Sequence, residues 1–199
     1  MIAYIETNFI LELAFLQKEH PACTSLLDMA RNKEVGLVVP AYSLAEPYEK
    51  LIRRRIKRRE LSYQLRDELS EFGRSADHAE DAQQYAGLVG LLITSSEEEN
   101  QRLGDMLARL LEVAEVIPTD GTVMQDALAV QQTLGLGPQD SIIYASVRRH
   151  VQSHSGPRCF LNKNIRDFAT PLIQDELQAL NCLLIPTFSD GLAYLLKHQ

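Results

Sequence analysis

With 199 residues, 45% of them apolar and 24% charged, the chain is long enough to bury a substantial core and reads as globular rather than disordered or fibrous. Its formal charge of −7 excludes an unspecific nucleic-acid coat, because phosphate binding by an acidic protein needs a local basic surface or bound cations. No run nears the ~18 apolar residues of a membrane span, and the N-terminus lacks a signal peptide's basic n-region, so a cytoplasmic protein with no membrane partner is expected.

The first predicted element is the apolar strand IAYI, followed by Glu6-Thr7-Asn8 and the helix NFILELAFLQ, which Thr7 or Asn8 is expected to cap. PACTSLLDMARNK is a second helix with Pro21 at its start, and VGLVVP a second strand stopped by Pro40. A long charged helical stretch follows from Ala41, which Pro47 either starts or kinks. Residues 74–113 read as helical, with a break near Ser95, where Ser-Ser-Glu-Glu resembles an N-cap and an acidic first turn. VAEVIPTD is a third strand, GTVMQDALAVQQTLGL an amphipathic helix ended by Gly135 and Gly137, and PQDSIIYASVRRHV another helix. RCFLNKN is a strand running into a polar loop, LNCLLIPT a last strand, and SDGLAYLLKH a closing helix. Cys23, Cys159 and Cys182 have neither zinc nor disulfide spacing and are expected as buried thiols. His20, His78, His150, His154 and His198 likewise show no metal spacing and are expected at the surface.

Short strands alternating with helices predict an α/β fold: three α/β/α layers, a mostly parallel sheet, and one domain over residues 1–199 with a helical insertion or arm at about 54–113. Ligands of such sheets bind beyond the carboxyl ends of the strands. Glu6, Glu46, Asp140 and Asp167 all fall near such positions, with Asn164 beside the last. Carboxylates gathered in one cleft raise each other's pKa values unless cations join them, and Mg²⁺ or Mn²⁺ favours that oxygen-rich donor set. Bland readings stand beside this one. A helix N-terminus favours Glu46 electrostatically, Pro-Gln-Asp-Ser makes Asp140 a cap, and Asn164 and Asp167 suit a turn. Asp120, Asp126 and Asp175 read as solvated.

Four short motifs resemble the PIN-domain ribonucleases, a family that includes toxins of bacterial toxin–antitoxin pairs. They are Tyr4-Ile5-Glu6-Thr7-Asn8, then Ser43-Leu44-Ala45-Glu46, then Asp140-Ser141-Ile142-Ile143-Tyr144-Ala145, and finally the run from Cys159 to Asp167-Phe168. The resemblance implies a PIN-like sheet and a Mg²⁺- or Mn²⁺-dependent endoribonuclease. Glu6, Glu46, Asp140, Asn164 and Asp167 would hold metal, and Thr7, Asn8 and Asn162 would support those ligands. It also implies RNA as substrate, and for a toxin an antitoxin protein and a homodimer as partners. The sequence departs from the pattern twice: Glu6 stands where the family has Asp, and Asn162 where it has Thr.

The run Arg53, Arg54, Arg55, Lys57, Arg58 and Arg59 is the one strong basic feature. It is a candidate grip on RNA phosphates, or a partner for acidic stretches such as Asp67-Glu68 and Glu97-Glu98-Glu99. A second functional reading is therefore a catalytically silent PIN-like scaffold that binds RNA or a protein through this helix. A third is another metal-dependent phosphatase or nuclease on a doubly wound sheet.

Overall fold

The computed structural model describes residues 1–198. Its strands are β1 (Ile2–Ile5), β2 (Gly36–Pro40), β3 (Ala114–Ile117), β4 (Arg158–Leu161) and β5 (Cys182–Ile185). They form one sheet in the order β3-β2-β1-β4-β5, with every pairing parallel. Parallel neighbours need crossovers, and the helices supply them: α1 (Thr7–Ala14), α2 (His20–Arg31), α3 (Ala41–Phe72), α4 (Ala79–Tyr85), α5 (Gly87–Val113), α6 (Gly121–Leu134), α7 (Pro138–Ser153), α8 (Ile165–Phe168), α9 (Pro171–Ala179) and α10 (Phe188–Lys197).

Successive strand residues face opposite sides of the sheet, and the two cores follow that alternation. Ala3, Ile5, Leu37, Val39, Cys159 and Leu161 face one core with residues of α1, α2, α5 and α10. Tyr4, Val38 and Phe160 face the other, with α6, α7 and α9. The three-layer α/β/α architecture and the PIN-like parallel sheet are as the sequence predicts. The three cysteines are buried and free, and among the described residues no helix is long and apolar enough to cross a membrane. At Gly191, α10 lies so close to β4 that a Cβ would come within 2.6 Å of Leu161 Cδ2.

The alternative left open at Pro47 is resolved, and several local expectations are corrected. The helix after β2 begins at Ala41, so Pro47 lies inside it and leaves the Ser43 carbonyl without its helical donor. α5 runs unbroken through Ser95, whose hydroxyl, like that of Ser96, turns back to the Leu92 carbonyl. The interruption falls at residues 73–78 instead, before α4. Ser and Glu can cap a helix, but Leu92, Ser96, Glu99 and Leu103 keep helical spacing, and α5 buries the last three of them. Thr170, whose hydroxyl accepts from Ile173 N, caps α9, a helix the sequence reading leaves as loop. Met106, Leu107 and Leu110 of α5 join Leu103 in the α1-side core.

Candidate active site

The chain runs from β1 outward to β2 and β3, then returns to place β4 on the other side of β1. Between β1 and β4 the connections diverge, leaving a crevice at the carboxyl ends. Glu6 follows β1, and Asn162 and Asn164 follow β4. Glu6, Thr7, Asn8, Glu46, Lys50, Gln139, Asp140, Ile143, Lys163 and Asn164 line a cleft of about 520 Å³ there.

Glu6 is fully enclosed, at 3% exposure. Its extended backbone makes it the N-cap of α1, and its side chain accepts from Asn8 N at 2.8 Å. The expected cap at Thr7 or Asn8 is thus one or two residues late. The Glu6 carboxylate folds back onto the helix N-terminus, and Thr7 donates instead to Glu46 Oε2 at 2.5 Å. The Lys163 backbone N–H faces the other Glu6 oxygen at 3.5 Å. Burial pushes the Glu6 carboxyl up to about 7, against the downward pull of the Asn8 and Lys163 hydrogen bonds and of Lys50.

Glu46 sits in the second turn of α3, because the helix starts at Ala41. The helix dipole acts within the first turn, so it does not account for this acid. Asp140 is not the cap of α7 either. Gly137 holds that position, Ser141 Oγ donates to its carbonyl at 2.8 Å, and Asp140 points its Oδ2 to Asn164 Nδ2 at 3.2 Å. Burial raises the Asp140 pKa, Asp167 and Glu46 raise it further, and Asn164 and Lys50 oppose them. Asn162 Oδ1 accepts from Asn164 N at 2.8 Å, and Asn162 N donates to Ile185 O, tying the loop to β5. Asp167 stands slightly apart. It lies in α8, anchored by buried Phe168, and acts on Asp140 through its charge without lining the cleft.

Three contributors were not read from the sequence. Glu12 is 2% exposed and accepts from Lys163 Nζ at 2.6 Å and Glu19 N at 2.7 Å. Burial works against the Lys163 charge, but its bonds to Glu12 and Glu19 prevail and raise its pKa. An acid inside the apolar run FILELAF was the signal for Glu12, and Lys163 stood inside the last motif. Lys50 lies one helical turn beyond Glu46, and that i,i+4 spacing was its signal.

The basic run divides by helical phase. At ~100° per residue, Arg53 and Lys57 share the face of Glu46 and Lys50. Arg54 and Arg58 turn to α5 and pair with Glu99 at 2.9 and 3.0 Å, and Glu49 takes Arg53. Arg55 and Arg59 line a separate groove with Ile52, Ile56, Tyr63 and Ile93. The six residues therefore form no single surface. The expected acidic partner is present in Glu99, and no ion pair reaches Asp67 or Glu68 among the described residues.

Carboxylates of Glu6, Glu46 and Asp140, with the Asn164 amide, make an all-oxygen donor set on one crevice. Two of the three have pKa values raised by burial, which is the environment a hard divalent cation relieves. The residues fit Mg²⁺ or Mn²⁺.

A PIN-domain family model matches residues 3–168. No curated protein sequence matches the chain. Among solved structures the chain is similar to that of VapBC2 from Rickettsia felis bound to a DNA fragment from their promoter. That likeness has 16% identity and a TM-score of 0.46, covering 93% of this chain and 98% of that one.

Proposed function

The chain belongs to the PIN-domain family, and from that membership we propose that it is a divalent-metal-dependent ribonuclease working at the cleft between β1 and β4. The observation that carries this is the convergence of Glu6, Glu46, Asp140 and Asn164, from four separate parts of the chain, on one crevice. Glu6, Glu46 and Asp140 would hold Mg²⁺ or Mn²⁺, with Asn164 beside them and Asp167 adding charge. Bound there, such an ion supplies Lewis-acid stabilisation of the reacting phosphodiester and a lowered water pKa.

The chain's own residues do the rest. Thr7 fixes one Glu46 oxygen by donating to Oε2, which leaves the other to the cleft. The Asn164 amide does the same for Asp140 Oδ2. Lys163 is held by Glu12 and Glu19, so it orients the loop between β4 and α8. Lys50 lines the cleft and meets the RNA phosphates, with Lys57 continuing that face along α3. An antitoxin partner and a homodimer belong to this proposal as consequences of the toxin resemblance.

The test is Asp140→Asn in the purified protein. Cleavage of a mixed RNA substrate in Mn²⁺ should fall at least about 100-fold, beyond the 10–100-fold typical of groups that merely support a metal ligand. Undiminished cleavage by a folded variant would overturn the assignment. Glu6, fully buried and bonded at both oxygens, favours a second reading: a silent scaffold that binds RNA without cutting it. Absence of a Mn²⁺-induced rise in melting temperature, with RNA binding intact, selects that reading.

A further inference from the structure

We propose that Glu115, His150 and His154 form a second metal site, suited to a zinc-class ion and distinct from the carboxylate cleft. Their candidate ligand atoms all lie within 4.8 Å of one another. The site is built by sheet register. Tyr4 pairs with Val38 and Val38 with Glu115, so the three form one row on the α6–α7 side of the sheet. α7 crosses above that row and sets His150 over it, and one turn later brings in His154. His150 is therefore nearly buried rather than at the surface, and its i,i+4 spacing to His154 is a metal-chelating one, contrary to the expectation from the sequence.

Hydrogen bonding leaves Nε2 of His154 for a ligand, whereas Nε2 of His150 is held by Glu115 Oε1, a contact that an ion would replace. His154 Nδ1 lies 2.9 Å from the His150 carbonyl, which can only accept, so Nδ1 carries the proton and Nε2 the lone pair. The Tyr4 hydroxyl occupies His150 Nδ1 at 2.9 Å, and Nε2 of the same ring faces Glu115 Oε1 at 3.1 Å. Metal-bound imidazoles have this pattern, with the non-ligating nitrogen held by a hydroxyl, carbonyl or carboxylate. The two rings stack at 3.8 Å and 14°, so their in-plane lone pairs run nearly parallel and the His154 ring must turn before both can meet one ion. Arg158 donates to the Val151 and His154 carbonyls and fixes the last turn that carries the second ring.

Two imidazoles and one carboxylate select Zn²⁺ and its first-row neighbours over Mg²⁺, and three protein ligands leave a fourth position open. Two ligands on one tetrahedral ion lie about 3.3 Å apart at bonds of ~2.0 Å. The exposed His154 and Glu115 side chains can make that adjustment by rotation. Asp140 lies ten residues earlier on α7, about 15 Å along the helix axis. The ion would clamp β3, an edge strand of four residues paired only with β2, to α7.

The experiment is titration of chelator-stripped full-length protein with Zn²⁺, followed by melting temperature, and with Co²⁺, followed by its visible absorption. Beyond any ion held by the carboxylate cleft, one ion per chain should bind here and raise the melting temperature. His154→Ala and Glu115→Gln should each weaken binding at least about tenfold, and Tyr4→Phe by ~10–100-fold through the lost support of His150. Asp140→Asn and an excess of Mg²⁺ should leave it unchanged. No melting shift in the parent protein would overturn the site, leaving an ordinary Glu115–His150 ion pair. So would unchanged binding by His154→Ala, or binding abolished by Asp140→Asn.

Discussion

Glu6 concentrates the chemistry of the residue scale. Its carboxyl rises from 4.5 to about 7 because it is buried. Between those values the native state holds a proton that the unfolded state has released, so stability falls as pH rises through that window. Above about 7 the full cost is present, up to about 3 kcal/mol at 1.36 kcal/mol per unit. In a chelator, Glu6→Gln should therefore stabilise the protein near pH 8 and leave it unchanged near pH 4, measured by urea unfolding. An equal difference at both pH values would contradict the buried-charge account. In the parent protein, Mn²⁺ should recover much of that stability, because the ion offsets the buried charge. The Glu in this motif was plain in the sequence. That it caps its own helix was not, since Thr7 and Asn8 are equally good caps, and only the demand of Glu46 for a donor removes Thr7 from that role.

Between elements, the pairing of α3 with α5 shows how a charge run is spent. α3 has 32 residues and extends about 48 Å, far beyond the sheet it leaves. Its middle is held not by a broad apolar seam but by Glu99, 5% exposed and facing Arg54 and Arg58. Arg54 also lies over the Phe15 ring at 4.2 Å, which joins this pair of helices to the end of α1. Glu99→Ala should leave two guanidiniums without their carboxylate. Because both remain partly hydrated, the expected loss is about 1.5–3 kcal/mol, the range for a hydrogen bond to a charged group. Native-state hydrogen exchange should locate the loss in α3 and α5, with the sheet amides little affected. A uniform loss of protection across the sheet would instead make the helical region part of one cooperative unit with the core. The pairing was half legible: the sequence offered both a basic run and an acidic triplet, but helical phase and tertiary approach chose Glu99 alone of the three.

For the whole molecule, a charge of −7 would set the terms of the proposed RNA binding. With Arg54 and Arg58 engaged and Arg55 and Arg59 turned to another groove, the basic run leaves only Lys57, with Arg53 paired to Glu49, on the α3 face that Lys50 presents to the cleft. Lys50→Ala with Lys57→Ala should weaken RNA binding and flatten its salt dependence by about 1.4, at ~0.7 per neutralised phosphate on a single strand. Arg55→Ala with Arg59→Ala should do neither. Binding is best measured in the Asp140→Asn background to prevent cleavage, and the opposite ranking would move the RNA path to the α3–α5 groove.

Strand-length apolar runs, turn residues and four polar motifs, three just beyond a strand and one at the start of α7, determined the layered parallel fold and the acids that border its cleft, because local patterning alone decides which face of an element is buried. The same patterning placed the ends of β1 and β4, and with them Glu6 and Asn164. Tertiary structure alone decided which acid caps a helix and which cations stay free. It also buried His150 against Tyr4 and Glu115, residues 146 and 35 positions away from it. Those outcomes depend on which hydrogen-bond partner comes within about 3 Å, and sequence spacing carries no such distance once a contact crosses from one element to another.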